Sequence, residues 1–129
     1  MIRGTTAQFR FQIPYQKSDL LWATMTFWQP GNIDEFGSTL SIQKRLDDCV
    51  DSNNPAELCV SLNASDTMKF SDKIKARAQL RAETKDGNIF ASHQQLITVY
   101  PINDEMLEAD SELPAEKDGW IILDGEPII

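Results

Sequence analysis

Little in this chain is equipped for catalysis. Its 129 residues hold one histidine, His93, two cysteines, Cys49 and Cys59, and six scattered glycines. A nucleophilic Ser or Cys needs an adjacent base, usually His. His93 sits in Ser92-His93-Gln94-Gln95 with no flanking motif, and reads as an exposed or hydrogen-bonded strand histidine. Two cysteines make no disulfide framework, and a zinc site built on them would need two further ligands. Scattered glycines exclude the phosphate cradles of Walker and dinucleotide type. Asp118–Glu126 contains Asp, Gly and Glu, but not in the alternating register of a calcium loop. The carboxylate pairs Asp34-Glu35 and Asp47-Asp48 fall on turn signals and read as solvated. No catalytic, cofactor-binding or metal-binding residue is therefore assigned, and neither an enzyme nor a small-molecule substrate is expected.

Long apolar runs are missing too. None approaches the roughly 18 residues of a membrane span, and the opening MIRGTTAQFRF lacks the apolar region of a signal peptide. The chain is expected to be made and kept in a cytoplasm, where Cys49 and Cys59 would be half-buried thiols. They flank a turn and would face each other across a hairpin.

Charge of one sign is nearly absent from one end. Residues 1–100 carry 11 Lys/Arg and 11 Asp/Glu, whereas 101–129 carry nine acids against Lys117 alone. The whole net charge of −8 sits in the C-terminal segment. Such a segment disfavours nucleic acid and anionic lipid, and suits solvent or a basic surface.

What the chain does have is alternation. Phe9, Phe11 and Ile13 alternate with polar residues over Thr5–Ile13. Leu21, Ala23, Met25 and Phe27 alternate with Trp22, Thr24, Thr26 and Trp28 over Leu20–Gln29. Period two is the mark of a strand with one buried and one wet face. Pro30-Gly31-Asn32 reads as a turn. Ser38–Leu46 is a weaker third strand, and Glu57–Asn63 a fourth with Leu58, Val60 and Leu62 on one face. Asn63–Phe70 reads as one helical turn crossing between sheets. In Ile74–Tyr100, inward Ile74, Ala76, Ala78, Leu80 and Ala82 are followed by Asp86-Gly87, a type I′ turn signal, and a second run from Ile89 to Val99.

Strand, short helical turn and long hairpin are the later half of an immunoglobulin-like layout. The expected fold class is all-β, an immunoglobulin-like antiparallel β-sandwich over residues 1–100. A short helical turn precedes its last hairpin, and an acidic extension over 101–129 ends in a short apolar strand.

Two stretches carry a resemblance. Arg3-Gly4-Thr5-Thr6, then Phe9-x-Phe11-x-Ile13-Pro14, resembles an RGTTP-x-F-x-F-x-LP opening. Val60-x-Leu62 with Asp66-Thr67-Met68-Lys69-Phe70, Gln79-Leu80-Arg81, Asp86-Gly87 and Ala91-Ser92 resembles a V-x-LTQEDTLKF…QLR…DG-x-x-AS pattern. Both are features of small proteins encoded by phages and prophages of gut Firmicutes. Ala7 replaces the usual proline, Asn63-Ala64-Ser65 replaces the TQE run, and the acidic end is longer. The resemblance implies a virion β-sandwich similar in outline to the immunoglobulin-like modules of baseplates and tails.

The expected function is therefore a non-enzymatic structural role in a phage particle, as capsid decoration, connector, tail or baseplate component. The chain would be made in the host cytoplasm and reside in the virion. Its partners would be other virion proteins and copies of itself, without direct nucleic-acid or membrane contact. The alternative is a small module binding carbohydrate or a host protein, with Trp22 and Trp28 as a sugar platform. Candidate partner-binding residues are Trp22 and Trp28, whose aromatic face lies opposite the expected core, and the Lys75, Arg77 and Arg81 stripe. That aromatic face either packs under the next layer or the C-terminal segment, or forms an intermolecular patch. The stripe reads as a solvated face, yet has the right sign to receive the acidic segment. The apolar Trp120, Ile121, Ile122 and Leu123 complete the set. This last segment either adds a strand to a neighbour's sheet or folds back on its own.

Overall fold

In the computed structural model, which describes residues 1–50, 54–101 and 121–125, the alternation of Phe9 and Phe11 with Arg10 and Gln12 becomes β1 (Ala7–Gln12). Both phenylalanines are fully buried while Gln12 is exposed. β1 pairs antiparallel with β4 (Glu57–Leu62), Phe9 opposite Val60 and Phe11 opposite Leu58. On its other edge lies β8 (Ile121–Asp124), running parallel, with Phe9 opposite Ile121 and Gln12 opposite Asp124. The first sheet thus has the order β4-β1-β8.

The second sheet has the order β3-β2-β5-β6, with β7 also on β5. β2 (Leu20–Ile33) pairs antiparallel with β3 (Thr39–Arg45) and β5 (Ala76–Thr84). β6 (Ile89–Ala91) and β7 (Gln95–Ile97) follow one another along β5. The protein is mostly β, and its two sheets meet over one apolar core. Phe27 of β2 packs on Phe9 at a ring separation of 4.6 Å and edge-on to Phe11 at 6.2 Å. Phe27 faces Ala78 across the β2–β5 ladder, so a small residue makes room beside this large one. Leu80, Met25, Leu58, Val60, Leu62 and Phe70 fill the rest.

α1 (Ala64–Met68) carries the chain from β4 in one sheet to β5 in the other. Asn63 caps it, accepting from the Asp66 amide at 2.8 Å. Asp66 returns the favour at the Asn63 amide, so two otherwise unpaired helix donors are satisfied. The Thr67 hydroxyl donates to the Thr5 carbonyl at 2.6 Å, and the Arg3 guanidinium donates to the carbonyls of Met68 and Phe70. A cation on the last carbonyls of a helical turn is favourable. The opening Arg3–Thr5 and the α1 end Thr67–Phe70 therefore touch in space, and what they secure is the joint between the sheets.

Four local expectations are corrected. Leu21, expected inward, is 59% exposed because the β2–β5 register slips between Leu20 and Trp22; Leu20 is buried instead. Pro30-Gly31-Asn32 is no reversal: β2 runs through it to Ile33 with an irregularity in its pairing to β3. The chain turns at Asp34–Ser38, where the Asp34 carboxylate accepts from the amides of Phe36 and Ser38 and Gly37 takes a φ of 82°. The last hairpin has a three-residue loop, Lys85-Asp86-Gly87, since Glu83 pairs with Ile89 and Thr84 N donates to Asn88 O at 2.9 Å. Gly87 at φ 97° supplies the left-handed position that such a loop needs. The expected run Ile89–Val99 is broken in two: β5 pairs Arg81 with Ala91 but Ala78 with Gln95, a slip of one residue. The buried Ser92 fills the break, its hydroxyl accepting from Leu80 N at 3.0 Å and donating to His93 O at 3.0 Å. His93 is thus exposed in the gap between β6 and β7 rather than inside a strand.

Candidate functional site

The side chains of β2 that point away from the core stand on the open face of the second sheet. Trp22, Thr24, Thr26 and Trp28 are half-buried there, and cross-strand pairing fixes their neighbours. Trp22 lies opposite Glu83, Thr24 between Arg81 and Arg45, and Trp28 between Arg77 and Ser41. The Trp22 indole N–H donates to the Glu83 carboxylate at 2.9 Å, and Arg77 Nη1 donates to Gln94 Oε1 at 3.0 Å. One aromatic and one guanidinium of this face are therefore held before any partner arrives. Lys75, Arg81 and Arg45 are exposed, as is Leu96 opposite Arg77 at 59%. Among the described residues this face carries Arg45, Arg77 and Arg81 against Glu83, with Lys75 just ahead of β5 and Asp47 beside Arg45. Beside Trp22 a cleft of about 380 Å³ is lined by Thr24, Gln43, Arg45 and Asp47.

The apolar C-terminal segment lies elsewhere. Ile121, Ile122 and Leu123 belong to β8 on β1 of the same chain, with Leu123 buried and the two isoleucines half-buried. The strand's far end is clamped from the second sheet. Gln95 of β7 donates from Nε2 to Asp124 O at 2.6 Å and accepts at Oε1 from Asp124 N at 2.7 Å. One side-chain amide thus does what a neighbouring strand would. Gly125 N donates to Gln12 O at 2.7 Å. A Cβ there would stand 2.7 Å from that oxygen and from Ile13 Cγ2, and 3.1 Å from Leu80 Cδ2. A cleft between β8 and the edge formed by β7 and Thr98 separates the two sheets on this side.

The candidate residues therefore fall into two groups: Trp22, Trp28, Lys75, Arg77 and Arg81 on one sheet face, and Ile121, Ile122 and Leu123 on the edge of the other sheet. Trp120 and the acidic stretch 102–120 lie outside the described residues, and with them the expectation that this stretch covers the Lys75, Arg77 and Arg81 stripe. Gln95 and Gly125 are the neighbours that sequence reasoning missed, whereas Glu83 was legible on the stripe's own strand face but not as the partner of Trp22. A glutamine in a polar run and a glycine after Asp gave no signal of a strand clamp.

The thiols are quiet. Cys59 is fully buried, deeper than the half-burial expected of it, and Cys49 is half-buried; both are free. Burial raises the Cys49 thiol from 9.0 to about 11, against the opposing pull of Lys17. Among the described residues no cluster of three or more His, Cys, Asp or Glu could hold a metal, and no helix is long and apolar enough to cross a membrane. Neither the protein-family models nor the curated proteins searched contain a match to this chain.

Proposed function

We propose that the protein is a non-enzymatic structural component of a phage particle, an immunoglobulin-like β-sandwich that packs against other virion chains and copies of itself. The order β3-β2-β5-β6 supports the immunoglobulin-like reading, because it matches the C′-C-F-G order of one sheet of that fold. So does the short helix between β4 and β5, and so does Met1–Arg3, which lies parallel to Thr98–Tyr100 before the chain crosses to the first sheet.

The observation that carries the packing role is the open face of the second sheet. Trp and Arg are the residues most enriched where protein interfaces concentrate their binding energy, and side chains already held in place lose less entropy on docking. Trp22 and Arg77 are held in this way, and Trp28 lies opposite Arg77. The test is a chain carrying Trp28→Ala, Arg77→Glu and Arg81→Glu, supplied in place of the natural one during particle assembly. These side chains point away from the core, so melting should change little while incorporation into particles drops sharply. Unchanged incorporation would overturn the role of this face.

A second reading is a carbohydrate-binding module, and one observation favours it: the cleft beside Trp22 joins an aromatic wall to Gln43, Arg45 and Asp47. Aromatic rings stack on apolar sugar faces while such polar groups bond hydroxyls. Glycan-array binding that is lost with Trp22→Ala would establish this reading in place of the first; an empty array removes it.

A further inference from the structure

The slot that holds Ile121–Gly125 is built entirely by the body of the protein. Its floor is the edge of β1, its clamp is the Gln95 amide, and its end is a seat between Gln12 O, Ile13 and Leu80 that only glycine fits. A strand, a bidentate polar clamp and a steric check together read main chain, one buried leucine and one glycine. That is how proteins recognise an added β-strand: hydrogen bonds hold it and pockets select it.

We infer that this slot is a strand-binding site that a second copy of the chain fills with its own Ile121–Gly125, giving a strand-exchanged assembly. The described contacts of the strand run to residues of the body, so they are the same whichever copy supplies it. Nineteen residues, 102–120, connect the strand to the body. Such a connection spans at most about 63–68 Å extended, against roughly 36 Å across a body of this length. The tether therefore reaches a neighbour. Exchange of an identical element costs little because it replaces each contact by its copy. Leu123 is buried and Ile121 is half-buried against the core, so only two side chains of the strand anchor it there, and exchange remakes both contacts in the neighbouring copy.

Mass action sets where each form prevails. A tethered segment has an effective concentration on the order of 1 mM for its own slot. Dilute chains are closed on themselves, and exchange sets in where copies are packed as densely as that, as in an ordered assembly. The inference does not depend on the particle being a phage.

Disulfide trapping tests it with full-length chains. Gln12 and Asp124 are paired in register and both exposed, so cysteine at either position disturbs little. All variants carry Cys49→Ser, which removes the half-buried thiol. A chain with both Gln12→Cys and Asp124→Cys, oxidised at micromolar concentration with glutathione disulfide, should close on itself and run as a monomer. Equal amounts of two chains, one with Gln12→Cys and one with Asp124→Cys, should form a 12–124 disulfide between chains, identified by peptide mass spectrometry. Its yield should rise at least about tenfold from micromolar to millimolar concentration, as a bimolecular step competing with the tether requires. Gly125→Val should abolish both products; Gln95→Ala, which removes the clamp on the Asp124 main chain, should lower both yields severalfold and serves as the control if the valine chain does not fold. A mixture that gives no 12–124 disulfide above those controls at millimolar concentration overturns the exchange. A doubly substituted chain that fails to close overturns the slot itself.

Discussion

Replacing Gly125 by alanine asks one methyl group to fit where three atoms already stand. The new Cβ would lie 2.7 Å from Gln12 O, 2.7 Å from Ile13 Cγ2 and 3.1 Å from Leu80 Cδ2. Two of those neighbours cannot step aside. Gln12 O accepts the Gly125 N–H at 2.7 Å, so widening the gap on one side breaks a bond on the other. Leu80 is fully buried beside Met25 in the β2–β5 ladder, and interiors are close-packed. Gly125 is not among the glycines with positive φ, so the penalty is one of space and not of backbone conformation. β8 must then lift off, which returns Leu123 to water at a cost of about 1.5–3 kcal/mol. It also gives up the β1–β8 ladder, the two Gln95 bonds and the Gly125 bond, each hydrogen bond worth about 0.5–1.5 kcal/mol net. Release of the strand's conformational entropy offsets part of this.

The net loss should be about 2 kcal/mol, or on the order of 8 °C in melting temperature for a domain of this size. Lifting off is also the ceiling. Once β8 is undocked, Leu123→Ala has nothing further to remove, so Gly125→Val with Leu123→Ala should cost no more than about 0.5 kcal/mol beyond Gly125→Val alone. Urea unfolding followed by tryptophan fluorescence reads both quantities. An alanine variant that unfolds at the parent midpoint, or a double variant whose losses simply add, would refute the reasoning.

Other sites give sharper single readouts. Gln95→Ala removes both bonds to the Asp124 main chain and should cost about 1–2 kcal/mol in urea unfolding, with Gln95→Glu nearly as costly because it supplies no donor. Thr67→Val leaves the Thr5 carbonyl without its 2.6 Å donor and should cost about 1–2 kcal/mol, with the loss confined to the joint between the sheets in hydrogen exchange. For Cys49 the folded pKa lies above the unfolded one, so the fold favours the protonated thiol. Its contribution is complete below 9.0 and is lost as the pH rises from 9.0 through about 11. Cys49 should therefore react with thiol reagents at pH 8 on the order of ten- to a hundredfold more slowly in the folded chain than in urea. A Cys49→Ser chain should lose less stability over that alkaline window.

The parts of the fold legible in the sequence are those where one face is buried. Phe9 and Phe11, then Ala23, Met25 and Phe27, then Ala76 to Ala82 declare their strands because burial imposes period two. Gln29 belongs to that inward series and hides its polarity in four hydrogen bonds to Ser71, Ile74 and Asn32, which no residue count reveals. The slips are illegible for a different reason. Asp86-Gly87 serves a two- or a three-residue loop equally well, and only the register of Glu83 with Ile89 decides. At Ser92 a side chain stands in for a main-chain partner, which leaves no mark on hydrophobic periodicity. The Trp22 and Trp28 face was visible because two tryptophans fell on the wet side of an obvious strand. The β8 slot was not, because Gln95 and Gly125, which fix the strand's end, lie about 30 residues apart and neither carries an apolar side chain.

We propose that the protein acts by packing within a phage particle, and mass spectrometry of particles purified from a phage whose genome encodes this sequence tests it. On that proposal the chain is present in the particles at a copy number comparable to their other structural proteins. Particles that assemble, infect and contain none of it would contradict the claim.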